Sequence, residues 1–76
     1  MQQFTRISHN IDIMGGKPCI KGTRITVGAI LTLIGEGATT SKLIDAYPHL
    51  TEEDVSEAVR YAAWAVGVKE DFILQA

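Results

Sequence analysis

Apolar residues spaced three and four positions apart predict the first of three helices. The stripe consists of four aliphatic residues, Val27, Ile30, Leu31 and Ile34. This spacing places all four on one side of a helix. Gly35 and Gly37 follow the stripe, and glycine is the residue that most often ends a helix. The pattern therefore predicts a helix that begins near Val27 and ends at these glycines.

A short second helix is predicted before Pro48. Its apolar residues are Leu43, Ile44 and Tyr47. The residue that precedes a proline avoids the helical conformation, so the helix has to end there. Residues 39–41 are Thr, Thr and Ser, whose side-chain oxygens are typical N-caps.

A third helix is predicted to begin after Thr51, a typical N-cap residue. Residues 52–54 are acidic, which the positive end of the helix dipole favours, and Asp54 stands where a capping box has its acidic residue. Its apolar stripe comprises Val55, Ala58, Val59, Ala62 and Val66. The three helices thus occupy residues 27–66, and residues 67–76 form a tail.

The first 26 residues predict a small β-element. Phe4–Ile7 and Cys19–Val27 have the composition of strands, and residues 14–18, Met-Gly-Gly-Lys-Pro, separate them with turn residues. Two or three short strands are not stable alone, so this element has to pack on the helices or pair with another chain. The predicted fold is mainly α, with three helices and a short N-terminal β-element.

Size and composition indicate one domain that depends on association. With 76 residues the chain has room for a single core, and domains this small bury only about 60% of their unfolded surface. One cysteine, Cys19, cannot form an internal disulfide, and His9 and His49 do not have the spacing of metal ligands, so neither metal nor cofactor is expected. Homodimerisation is therefore the remaining way to stabilise so small a domain. The absence of an apolar run of about 20 residues or a signal-peptide pattern predicts a cytoplasmic location away from membranes.

The sequence gives little support to a catalytic site. A P-loop needs glycine, then lysine, then serine or threonine, whereas Lys21 precedes Gly22 and Pro18 removes a backbone donor. Cys19 stands in an apolar strand pattern, which favours a buried and inert thiol even if His9 approaches it. The clustered carboxylates are explained by the start of the third helix. The sequence therefore predicts that the chain is not an enzyme.

Charge is divided unevenly along the chain. Residues 1–24 hold four basic side chains and one acidic one, while residues 51–76 hold two basic and six acidic side chains.

About four residues, 47–50, link the second and third helices, which is helix-turn-helix spacing, although many three-helix cores with this spacing never bind DNA. The first turn of the third helix is acidic and would repel phosphates. The candidate DNA-binding residues are Arg6, Lys17, Lys21, Arg24 and Lys42. Alternatively, Arg24 pairs with Asp54 or Glu57 and the lysines are ordinary solvated charges.

Aromatic residues appear on the side of the third helix that should face water. At about 100° per residue, Trp64 lies opposite Val55, and Tyr61 is one turn before it. The N-terminal strands, the tail or a second subunit would have to cover this side, unless Trp64 is simply tolerated on the surface. The candidate partner-binding residues are Tyr61, Trp64, Phe72, Ile73 and Leu74. Such a surface beside an acidic tail suits a basic protein partner.

Several motifs together resemble a known family. Residues 16–27 read Gly-Lys-Pro-Cys-Ile-Lys-Gly-Thr-Arg-Ile-Thr-Val, and they are followed by Gly37, Tyr47-Pro48 and residues 50–55. From about Arg6 to Ala62 the chain resembles the DUF433 family. That resemblance implies a homeodomain-like helix-turn-helix, usually dimeric, in a predicted antitoxin that binds a toxin such as a PIN-like ribonuclease and sometimes its own operator DNA. It implies no particular site residue. The alternative is an interaction module that binds protein only.

Overall fold

Two short strands precede three helices in the computed structural model, which describes the backbone of residues 4–75 and the side chains of residues 4–68. The elements in chain order are β1 (Ile7–Ser8), β2 (Cys19–Ile20), α1 (Val27–Gly35), α2 (Thr40–Ala46) and α3 (Glu52–Gln75). A 3-10 turn, Met14–Gly16, lies between the strands. The predicted mainly α fold with an N-terminal β-element is confirmed.

The strands form a two-stranded antiparallel sheet that is shorter than predicted. Ile7 lies opposite Ile20, and the backbone N–H of Lys21 extends the ladder by donating to Arg6 O over 2.8 Å. The predicted strand Cys19–Val27 is wrong beyond Ile20, because the chain turns back at Gly22, whose φ is +80°. The Thr23 hydroxyl stabilises this turn by donating to Ile20 O and accepting from the N–H of Ile25, at 2.8 and 3.0 Å.

Local capping explains both ends of α1. The side-chain oxygen of Thr26 accepts a backbone hydrogen bond from the first turn. At the other end Gly37 adopts a left-handed φ of +101°, and its N–H donates to Ile34 O while the N–H of Ala38 donates to Leu33 O, each over 2.9 Å. This pair of bonds is a Schellman motif, in which glycine is favoured because a side chain would strain the backbone. The predicted helix is confirmed.

The second and third helices begin at the predicted caps, whereas Thr26 was not predicted as the cap of α1. Thr39 caps α2, which ends at Ala46, two residues before Pro48. At the start of α3, Thr51 Oγ1 accepts from the N–H of Asp54, and Asp54 Oδ2 accepts from the N–H of Thr51, both over 3.1 Å. This reciprocal pair is the predicted capping box. Five residues, 47–51, separate the two helices.

A single apolar core lies between β2 and the three helices. Its buried members are Ile20, Val27, Ile30, Leu43, Leu50, Val55 and Ala58. Ile30 and Ala58 have no exposed surface, which places the centre of the core where α1 crosses the first half of α3.

The third helix continues far beyond this core. It runs to Gln75 instead of ending at Val66, and its 24 residues span about 36 Å. Among the α3 residues whose side chains are described, Ala62 is the last that packs against the core. The predicted burial of Val59 and Val66 is wrong, since they are 42% and 55% exposed. The reason is that α1 and α2 flank only one side of the first half of α3.

Candidate interaction surfaces

Two acidic side chains near the start of α3 are buried and bound by arginines. Asp54 and Glu57 are each only 7% exposed. Arg6 binds both, because its Nη1 lies 3.2 Å from Asp54 Oδ1 and its backbone N–H donates a short hydrogen bond to Glu57 Oε2. Nη2 of Arg60 lies 3.6 Å from Glu57 Oε1. These contacts fasten the segment just before β1 to the first turns of α3.

The acidic start of α3 changes the interpretation of two predicted residues. Arg6, a candidate DNA-binding residue, forms an ion pair with Asp54, although its side chain is still 45% exposed. The alternative that Arg24 pairs with Asp54 or Glu57 is wrong, since within residues 4–68 their ion-pair partners are Arg6 and Arg60. Sequence reasoning missed the Arg6 contact because it joins residues 48 positions apart.

The remaining predicted cations are all exposed but lie on different elements. Lys17 precedes β2, Lys21 and Arg24 belong to the turn after β2, and Lys42 lies in the first turn of α2. Lys21 faces the connector between α2 and α3, where it lines an open groove of about 560 Å³ together with His49. The first turn of α3 contributes no basic residue, so these four side chains do not reproduce the usual recognition-helix arrangement.

The aromatic residues of α3 meet the N-terminal segment. The ring of Phe4 packs edge-on to Tyr61 with centroids 5.2 Å apart, and it lies 5.8 Å from the ring of Trp64. His9 Nε2 forms a hydrogen bond with the Tyr61 hydroxyl over 3.0 Å. These four residues, Phe4, His9, Tyr61 and Trp64, are called the aromatic surface below. Trp64 keeps 41% of its area exposed, so the N-terminal segment covers this side of α3 only in part.

Large hydrophobic residues continue along α3 where it leaves the core. Val66 and Val68 are 55% and 51% exposed, on two different sides of the helix. A helix that is apolar on more than one side is normally buried on more than one side. The predicted partner-binding residues Phe72, Ile73 and Leu74 lie on the last turns of α3, and their side chains are outside the described residues.

Reactive side chains do not converge in the described part of the chain. Cys19 is 1% exposed, as predicted for a buried thiol, and the nearest described partner of the His9 ring is a tyrosine hydroxyl. Within residues 4–68 there is no group of three His, Cys, Asp or Glu side chains placed to hold a metal ion. The described helices include none with the length and apolarity needed to cross a membrane. What this geometry offers is contact surface: an acidic helix start, scattered cations and an apolar helix end.

Comparisons with known proteins identify related chains whose roles are also unknown. Residues 7–62 match the family described as "Protein of unknown function (DUF433)". An uncharacterized protein, y4eO, from Sinorhizobium fredii (strain NBRC 101917 / NGR234) is 30% identical over 74% of this chain, which spans only 25% of that relative. The crystal structure of a DUF433 member from Anabaena variabilis ATCC 29413 superimposes with a TM-score of 0.78 at 30% identity, covering 91% of this chain and 68% of that one.

Proposed function

The chain belongs to the DUF433 family of proteins of unknown function, and we propose that it is a non-enzymatic, antitoxin-like regulator that dimerises and binds a protein partner through α3. The observation that supports this proposal is that α3 extends beyond the apolar core. Trp64, Val66 and Val68 remain 41–55% exposed there, although each would be stabilised by burial.

The aromatic surface is the proposed partner contact. Tryptophan and tyrosine are the residues most enriched among those that dominate binding energy at interfaces. Here Phe4 and His9 brace Tyr61 and Trp64, so little side-chain freedom is lost when a partner covers them. An exposed tryptophan held in this way is typical of a binding surface that exists before its partner arrives.

Charge indicates the class of partner. Glu52 and Glu53 are exposed at the start of α3, and residues 51–76 carry six acidic side chains against two basic ones. A ribonuclease binds a polyanion and therefore presents a basic surface, which attracts such a region during encounter. We propose a toxin of the PIN-like ribonuclease class as the partner, in line with the antitoxin role that the family resemblance suggests.

DNA binding is a second candidate function, supported by the exposure of four basic side chains. Lys17, Lys21, Arg24 and Lys42 would contact phosphates, because Glu52 and Glu53 disfavour entry of α3 into the major groove. A dimer would double their number. If no DNA is bound, the chain is an interaction module that acts on protein alone.

Protein binding is tested by co-expression with the product of the neighbouring gene, followed by native mass spectrometry and an assay of RNA cleavage by that product. We expect a stable complex and loss of cleavage. Trp64→Ala should weaken the complex by about 2 kcal/mol, or about 30-fold in Kd, as a central aromatic anchor does. Ile11→Ala, on the loop before β2, is the control, since Ile11 is 77% exposed and distant in sequence from α3. Absence of a complex, or equal effects of both variants, would contradict the proposal.

DNA binding is tested by mobility shift of the gene's own upstream DNA at several salt concentrations. Phosphate contacts predict a complex that weakens steeply with salt, and charge reversal at Lys17 and Lys21 should weaken it uniformly across sequences. The absence of any shift at low salt would leave the protein-only alternative.

A further inference from the structure

A groove of about 560 Å³ lies between the turn after β2 and the connector between α2 and α3. Lys21 and Thr23 belong to its first wall, and Tyr47, Pro48 and His49 belong to its second. Pockets that hold small molecules have volumes of about 300–1,000 Å³, so this groove has room for one. Its two walls come from distant parts of the chain, and neither part alone indicates a site from the sequence.

Both walls are held in place by hydrogen bonds within the chain. The N–H of Thr23 donates to Ile20 O over 3.0 Å, and the Thr23 hydroxyl donates to the same oxygen over 2.8 Å, which fixes the turn. On the other side, the N–H of Leu50 donates to Tyr47 O over 2.8 Å and closes the connector. Because the walls are already ordered, little conformational entropy is lost when a ligand fills the groove.

The groove is suited to an anion, although the chain as a whole has a net charge of −2. Lys21 and His49 line it and are exposed, and the described lining contains no carboxylate. Within residues 4–68 the acidic partners in ion pairs are Asp54 and Glu57, and both are bound by arginines, so Lys21 is not neutralised there. A lysine ammonium group and an imidazole N–H both donate hydrogen bonds to phosphate oxygens.

An apolar surface lies in the same groove as these two donors. Ile25 and Tyr47 are partly buried and pack against the core, and both also line the groove. Pro48 adds a rigid apolar ring beside Tyr47. Nucleobases stack on aromatic side chains, and every base has a face that allows it. The groove therefore combines donors for a phosphate with an aromatic ring for a base.

We propose that this groove binds a nucleotide whose base is unstacked, with the phosphate at Lys21 and His49 and the base on Tyr47. A nucleotide uses both parts of the lining, whereas inorganic phosphate would use only the donors and an uncharged ring only the apolar surface. Duplex DNA keeps its bases paired and stacked, so it offers the groove phosphates without a free base. The inference thus goes beyond the duplex contact considered above, and it does not depend on the protein partner proposed for α3.

The nucleotide is either free or part of a single strand, and affinity distinguishes these sources. One phosphate contact and one stacked base predict a Kd of about 1 mM for a free nucleotide. Exposed Arg24 lies in the same turn as Lys21, where it would contact the next phosphate of a strand. A short oligoadenylate that binds at least about tenfold more tightly than its mononucleotide, with an affinity that falls with salt, identifies the strand. Equal affinities identify the free nucleotide.

Amide chemical shifts measure the binding residue by residue. The isotope-labelled protein is titrated with adenosine monophosphate to about 10 mM, roughly ten times the expected Kd. We expect saturable shifts at residues 21–25 and 47–50, without comparable shifts in residues 61–68. Adenosine and inorganic phosphate, which each supply one part of the ligand, should bind at least about tenfold more weakly. Absence of saturable shifts, or equal affinity for inorganic phosphate and the nucleotide, would overturn the inference.

Paired substitutions separate the groove from the general charge of the surface. Lys21→Gln should raise Kd by about tenfold, whereas Lys17→Gln, at an exposed lysine outside this groove, should change it by no more than about twofold. Tyr47→Leu should also raise Kd by about tenfold, whereas Tyr47→Phe keeps the ring and should bind as the wild type does. Because Tyr47 packs against the core, the two lysine variants decide the outcome if Tyr47→Leu does not fold. Equal weakening by the two lysine variants would overturn the inference.

Discussion

The capping carboxylate of α3 provides a measurable test of what holds the N-terminal segment in place. Asp54 is 7% exposed, and its two oxygens accept hydrogen bonds from the Thr51 N–H at 3.1 Å and from Arg6 Nη1 at 3.2 Å. Asp54→Ala removes both bonds and one acidic charge from the positive end of α3. The substitution leaves the helix without its reciprocal cap.

The expected loss follows from these contacts. A helix cap contributes about 1 kcal/mol, and an ion pair with a half-exposed partner such as Arg6 contributes at most about 1 kcal/mol. The free energy of unfolding should therefore fall by about 2 kcal/mol. A chain of 76 residues is stable by only about 4–11 kcal/mol, so the change is a large part of the total. With a urea m-value of about 1 kcal/mol/M, the midpoint should move by about 2 M.

Urea unfolding followed by circular dichroism at one fixed protein concentration measures this shift. Glu53→Ala is the control, because Glu53 is exposed in the same turn and should change stability by no more than about 0.5 kcal/mol. Arg6→Ala should lower the free energy of unfolding by less than Asp54→Ala does, since the backbone hydrogen bond from residue 6 to Glu57 remains. Equal losses for the Asp54 and Glu53 variants would refute the proposed role of the buried cap.

Other substitutions test the core, the helix ends and the exposed helix. Ile30→Ala should lower the free energy of unfolding by about 2–5 kcal/mol, because Ile30 has no exposed surface, as urea titration will measure. Gly67→Ala should raise the free energy of unfolding by about 0.5–1 kcal/mol, and the Tm with it, since an added Cβ inside α3 meets no atom within 4 Å. Gly37→Ala should lower the Tm, because it forces a side chain into a φ of +101°. If the proposed dimer forms through α3, hydrogen exchange after Ala62 should become slower as the protein concentration rises.

Local chemistry explains why the helix starts could be predicted from sequence. Thr39 and Thr51 each cap a helix through contacts within three residues, so the relevant information lies in a short window, whereas the start of α1 followed from its apolar stripe and its cap Thr26 was not predicted. The end of α1 is equally local, because Gly37 alone supplies the left-handed residue of the Schellman motif. The apolar stripe of α1 then identifies its buried side, with Val27 and Ile30 fully in the core.

Features that depend on distant parts of the chain could not be predicted in this way. The stripe on α3 has the same spacing as that of α1, yet Val59 and Val66 are exposed because α1 and α2 flank only one side of the first half of α3. The early end of β2 is different, because it depends on local contacts of the Thr23 side chain with Ile20 and Ile25, which the strand-like composition of the segment hides. Arg6 was counted among the DNA-binding candidates because nothing near it in sequence reveals its contact with Asp54.

The stretch of α3 that follows Ala62, with Trp64, Val66 and Val68 exposed, makes the stability of the chain depend on what it binds. Ordering each residue costs about 1–2 kcal/mol of conformational entropy, and none of residues 63–68, where the side chains are described, packs against the apolar core to offset that cost. A Cα radius of gyration of 13.1 Å, against about 11 Å for a compact chain of this length, reflects the same extension. Anything that binds this stretch stabilises the folded chain by RT ln(1 + L/Kd), where L is its concentration, so the gain grows with the logarithm of that concentration. A protein partner that covers Trp64 should therefore also raise the Tm of the chain.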